Sequence, residues 1–260
     1  MSAELAPERW SGTHELARLA AAHTPARLFV GGTVSAYSTA TALKLRADHA
    51  AARDAVDDQI DRLETSLASL PTMSSQATDR TTYLANPGLG RLLTEESRVR
   101  VAELSDQPAD VQIVIGDGLS ADAVRQHGPT VLTAMHEEAE SRGWRVAPPF
   151  VVHQCRVGIL NDIGPLVSAP LIILLIGERP GLAIADSMSA YFAWKPGPGA
   201  TDAHRNLISN IHARGVPPAE AGARIIELGA LIARSEMSGV SVKEVRVELP
   251  SGGAERLGSD

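Results

Sequence analysis

One carboxylate in this sequence is set where chemistry is easiest to imagine. Residues 171–176 read L-I-I-L-L-I, and Gly177-Glu178-Arg179-Pro180-Gly181 follows at once. The glycines free the backbone and Pro180 fixes φ, so Glu178 and Arg179 stand at the mouth of a buried strand. In open α/β sheets, ligands gather at the carboxyl ends of strands, which makes residues 177–181 the first candidate site. The competing reading is a surface ion pair between Glu178 and Arg179, worth little in stability. Local chemistry leaves the two level.

Other candidates are weaker. Gly116-Asp117-Gly118-Leu119-Ser120 has the glycines and helix start of a phosphate-binding turn. It lacks G-x-G-x-x-G, a following G-K-[ST] and the G-x-S-x-G of a nucleophile elbow, so a structural β–α turn is the preferred reading. His153 and Cys155, two apart on a strand, share a face, but two ligands without a second pair make a poor zinc site. They read as a packed histidine and a buried thiol. His212 is expected near a helix end, where the dipole favours a protonated imidazole. No catalytic acid, base or nucleophile and no metal ligand is assigned.

The elements that would position these residues fall in two parts. Residues 1–105 read as helical: a helix over 5–23, a connector at 27–32, and a long helix over 38–70. In the long helix Ala42, Leu45, His49, Ala52, Val56, Ile60, Leu63 and Leu67 recur at spacings of three and four. Residues 70–75 read as a polar break, Asn86-Pro87-Gly88 as a turn, and Thr94 as a helix cap. From 106 to 240 the pattern alternates. Strands are expected at 111–115, 150–155, 171–176 and 189–194, and helices at 121–142, 204–211 and 217–234, with a short helical piece through 163. Residues 241–260 read as a flexible tail. The fold class expected is α/β, a helical N-terminal region followed by a Rossmann-like, mainly parallel sheet with flanking helices.

Composition bounds the rest. The chain of 260 residues is 44% hydrophobic but only 3% aromatic, so its core must be aliphatic. A net charge of −7 without a basic run argues against nucleic acid. A lone cysteine excludes an internal disulfide and fits a reducing compartment. The first residues carry no apolar signal core, and no apolar run is long enough for a bilayer, so a soluble intracellular protein is expected.

Several blocks, in order, carry a resemblance. V-Q-I-V-I-G-D-G-L-S-A-D-A-V, L-L-I-G-E-R-P-G-L, D-S-M-S-A-Y and I-S-N-I-H-A-R-G-V-P-P are similar to the small subunit of ethanolamine ammonia-lyase. Upstream, L-K-L-R-A-D-H-A-A-A-R-D-A-V and Y-L-A-N-P-G-L-G-R resemble it too, so the likeness spans about residues 27–239. The resemblance implies an adenosylcobalamin-dependent lyase that converts ethanolamine to acetaldehyde and ammonia. It also implies a TIM-barrel large subunit that holds the substrate, and a higher-order hetero-oligomer, cytoplasmic or inside a bacterial microcompartment. The family's cobalamin contacts fall on Val157, Glu178 and Leu207, the last at a position that is commonly Cys in relatives. Three rivals are a diol-type dehydratase subunit, a free-standing nucleotide-binding enzyme using residues 116–120, and a non-catalytic scaffold.

Overall fold

A computed structural model describes residues 11–23, 28, 32–33, 36–57, 66–182 and 184–244. In chain order the helices are α1 (Ser11–His23), α2 (Thr39–Asp57), α3 (Arg80–Ala85), α4 (Glu95–Leu104), α5 (Ala121–Ser141), α6 (Leu160–Ile163) and α7 (Pro218–Ser235). The strands are β1 (Gly32–Thr33), β2 (Ala36–Tyr37), β3 (Thr72–Ser74), β4 (Val111–Gly116), β5 (Phe150–His153), β6 (Leu171–Gly177), β7 (Met188–Trp194) and β8 (Arg205–Ile211). β1 and β2 form a small antiparallel pair. The other six make one sheet in the order β3-β5-β4-β6-β7-β8.

β3, β5, β4 and β6 are mutually parallel, while β7 runs antiparallel to both β6 and β8. The carboxyl ends of β3, β4, β5, β6 and β8 and the start of β7 therefore meet at one edge. β6, apolar from Leu171 to Ile176, and β4, apolar but for Gln112, are buried at every position, as strands sandwiched on both faces must be. α5 and α7 cover one face along a core that includes Ile113, Ile173, Phe192, Ile208, Val131 and Ile225. The other face is covered near α4 and α6, where Val101, Leu160 and Ile163 pack on Val114, Ile172 and Leu174. That second cover reaches Ala193 of β7 but thins beyond it, leaving Tyr191 half-buried and Leu207 of β8 exposed across from it.

Local signals explain most boundaries. Thr94 caps α4 by accepting from Ser97 N, and Ser120 caps α5 by accepting from Ala123 N. Asn86 closes α3. Pro217 and Pro218 open α7, where a missing N–H costs nothing.

Two expectations are corrected. Residues 70–75 contain β3, a three-residue edge strand with only Met73 buried, too short to show an alternation. Residues 205–211 are not a helix but β8. Their apolar pattern imitates a helix because the strand carries an extra residue: Met188 faces Ile211 while Ala190 faces Ile208. That bulge at Ser209 and Asn210 puts Ile208 and Ile211, three apart, on the same buried face.

In α2, Ala42, Leu45, Ala52 and Val56 are half-buried as the spacing predicts, but His49 is exposed and no residue of the helix is fully buried. Ile60 and Leu63 lie outside the described residues, and Leu67, expected on the same helix, sits instead in a 3-10 turn (Ser66–Ser69), buried in the core. At the far end Val242 packs into the core and Glu244 pairs with Arg224, while residues 245–260 lie outside the described residues. Beside β8, Asn206 donates to Gly239 O and Val242 O and accepts from Gly239 N. Among the described residues no helix is long and apolar enough to cross a membrane.

Candidate functional site

Glu178 leaves the end of β6 with its amide bonded to Ser187 O at 2.9 Å. Its Oε1 accepts from Ser189 Oγ at 2.5 Å and from Asn210 N at 2.9 Å. The second bond needs the β8 bulge. Asn210 sits at φ 58, a left-handed conformation that asparagine tolerates, and this turns its N–H toward the carboxylate. Among the described residues nothing donates to Oε2, and Glu178 makes no ion pair with Arg179. The surface-pair reading of Glu178 is therefore set aside: one oxygen is anchored and the other is free to accept.

The neighbouring wall comes from the segment after β5. Gln154, at φ 53, turns the chain out of the strand, and its amide and that of Cys155 donate to the buried Asp117 at 2.7 and 3.3 Å. Burial pushes the Asp117 carboxyl up from its usual range, opposed first by the Gln154 amide. Tyr83 completes the support. Its hydroxyl donates to Cys155 O at 3.0 Å, and its ring lies 4.1 Å from the Arg156 guanidinium carbon and 4.8 Å from that of Arg80. Burial pushes the Tyr83 phenol up, so it remains a donor. Arg80 in turn donates to Gly118 O at 2.9 Å and to Val56 O at 2.6 Å, tying α2 to the site's floor.

Val157, Glu178 and Leu207 are brought together. All three line one cleft of about 340 Å³, with Tyr83, Ser189 and Asn210. Leu207 is 47% exposed, on the unclad face of β8 opposite Tyr191. Burial, and after it the Glu178 carboxylate, push the Tyr191 phenol up. Beyond Val157 and Leu207 opens a second bay of about 880 Å³, which shares Arg156, Val157, Tyr191 and Leu207 with the first. The two adjoin along this shared lining.

The remaining candidates fall elsewhere. The turn at residues 116–120 is packed against the end of β6: Leu119 N donates to Gly177 O, and a Cβ on Gly118 would meet that oxygen at 2.3 Å. Its space is taken by backbone, which weighs against the nucleotide-binding rival. His153 and Cys155 do not share a strand face, because β5 ends at His153 and Gln154 reverses the backbone. Cys155 is fully buried, and burial pushes its thiol up. His212 follows a strand, not a helix. It is 4% exposed, burial lowers its pKa, and Nδ1 accepts from Arg214 N, as a neutral imidazole does.

Tyr83, Arg156, Ser189, Tyr191 and Asn210 escaped the sequence reading. Arg156 immediately precedes Val157, and Ser189, Tyr191 and Asn210 lie within the quoted D-S-M-S-A-Y and I-S-N-I-H blocks. Tyr83 opens the quoted Y-L-A-N-P-G-L-G-R block, but nothing local ties it to Cys155, more than seventy positions away.

The chain matches, over residues 14–243, the family described as ethanolamine ammonia-lyase light chain (EutC). Curated proteins named ethanolamine ammonia-lyase small subunit are similar to it. That of Clostridium perfringens is 39% identical over 222 residues, covering 85% of this chain and 75% of that protein. That of Pseudomonas aeruginosa strain PAO1 is 39% identical over 246 residues, covering 91% and 90%. That of Fusobacterium nucleatum is 40% identical over 220 residues, covering 85% and 75%.

Proposed function

This chain belongs to the ethanolamine ammonia-lyase light-chain family, and we propose that, as the small subunit of that lyase, it forms one wall of an adenosylcobalamin site completed by a large subunit. The observation that supports this most is the convergence of Val157, Glu178 and Leu207 on one cleft, with Glu178 Oε2 left free to accept. Those residues fit a corrinoid. Its side chains end in amides, whose N–H groups a fixed carboxylate accepts, and its methyl-rich rim packs on apolar side chains. Val157 and the exposed Leu207 supply that apolar contact. When bound, the cofactor supplies homolysis of its cobalt–carbon bond.

This chain holds and covers. Ser189 and Asn210 keep Glu178 oriented before any ligand arrives, and the rigid sheet edge excludes water from the covered side. No group in the cleft is proposed as a catalytic acid or base; the substrate is held by a TIM-barrel large subunit in a higher-order hetero-oligomer. The assembly resides in the cytoplasm, free or in a bacterial microcompartment.

The test is co-expression with the large subunit, followed by measurement of acetaldehyde released from ethanolamine with and without adenosylcobalamin. The expected result is turnover that needs both chains and the cofactor. Full turnover by the large subunit alone, or turnover without the corrinoid, would overturn the proposal.

A further inference from the structure

Two arginines with no carboxylate partner among the described residues share the larger bay. Arg91 ends a 3-10 turn (Leu89–Arg91) and Arg156 immediately precedes another (Val157–Ile159). The segments are joined backbone to backbone, with Arg156 N donating to Gly90 O at 2.6 Å. Each arginine lies across the other segment's glycine. A Cβ on Gly90 would come within 2.9 Å of Arg156 Cγ, and one on Gly158 within 2.9 Å of Arg91 Cγ and Cδ. The two glycines clear the space through which the stems cross, and both side chains line the bay of about 880 Å³.

The nearby acids are already engaged. Asp162 pairs with Arg98, and Asp202 with Arg205. Arg156 donates through Nη2 to Tyr83 O at 3.3 Å, while its buried Nε has no acceptor. Two like charges held on one bay with donors unspent are unfavourable by themselves and favourable around an anion. Forked guanidiniums match the paired oxygens of a phosphate group.

We propose that Arg91 and Arg156 form a subsite for a phosphate ester. Resting on the reading above, that ester is the phosphodiester in the nucleotide arm of the cobalamin. The site is then two-ended: Glu178 takes amide N–H groups in the smaller cleft, and the arginines take the phosphate toward the larger bay, with Arg156 lining both.

The assembled two-subunit enzyme is titrated with cyanocobalamin and with cyanocobinamide, which lacks the phosphate, ribose and base, and binding is read by equilibrium dialysis. R91Q and R156Q are each expected to weaken cyanocobalamin binding about ten- to a hundredfold and to leave cyanocobinamide binding within about twofold. Because Arg156 also packs on Tyr83, R156K serves beside it; its retained charge should preserve part of the preference. Equal losses for both corrinoids, or no loss for either, would overturn the inference. So would impaired subunit association with an unchanged preference, which would assign the arginines to acids of the large subunit. Absence of any corrinoid binding by the unaltered enzyme would remove the cobalamin reading itself, and the subsite with it.

Discussion

Glu178 is prepared for a ligand by asymmetry. Both donors among the described residues reach Oε1, so the charge that remains to be satisfied is concentrated at Oε2. Glutamine can keep the first oxygen as an acceptor, but must present an NH2 where the second oxygen stood. E178Q should therefore retain the fold while turning the polarity of the site around. Cobalamin affinity of the assembled enzyme is expected to fall about tenfold or more, with an unaltered melting curve. Wild-type affinity in E178Q, read by corrinoid titration, would remove Glu178 from the binding surface. The bracket of glycines and proline made Glu178 visible in the sequence. Asn210 could not be seen, because its part depends on a backbone conformation and not on its side chain.

Among the elements, the junction between β6 and the β4–α5 turn is the tightest point in the site. A Cβ on Gly177 would lie 2.0 Å from Ser120 O and 2.7 Å from Asp117 O, both backbone atoms with nowhere to move. G177A is expected to lower stability by about 1–3 kcal/mol and to displace Glu178, so that chemical denaturation and corrinoid binding change together. A stable G177A with normal binding would show that the junction can relax. β4, β6 and α5 were legible because sandwiched strands and a capped amphipathic helix announce themselves in apolar runs and in Ser120. β8 was not, since its bulge replaced the period of two by a spacing of three. β3 was too short for any period to register. What a reader of sequence loses at a bulge is also what the site gains there, namely an amide pointing the wrong way for a ladder and the right way for a carboxylate.

Across the whole molecule, proton uptake should separate the folded from the unfolded state. Burial holds His212 below the ordinary imidazole value of 6.5. The unfolded chain takes up that proton near pH 6.5, whereas the folded chain resists it until the pH is lower. Its contribution to stability is therefore complete above that value and is lost as pH falls toward the folded pKa. The melting temperature should decline between pH 7.5 and 5.5, and the decline should be shallower in H212Q; an identical slope in the variant would exclude His212 as its source. The nearby Asp186 carboxylate opposes that shift in His212, and burial outweighs it. The mixed α/β class was legible in the alternation of strand and helix patterns after residue 106. The joining of residues 72–74 to the sheet was not, because it depends on a partner about eighty residues away.

The outer margin of β8 has a further consequence. Terminal strands carry unspent amides and carbonyls, and are an open invitation to strand addition by other chains. Here the side-chain amide of Asn206 engages Gly239 and Val242 much as a neighbouring backbone would, and the bulge warps the strand beyond it. The sheet is thereby guarded against growth where Asn206 sits on the margin that borders the cleft. N206A should reopen that border, giving concentration-dependent self-association by light scattering, and a variant that stays monodisperse would show that the bulge alone is a sufficient guard.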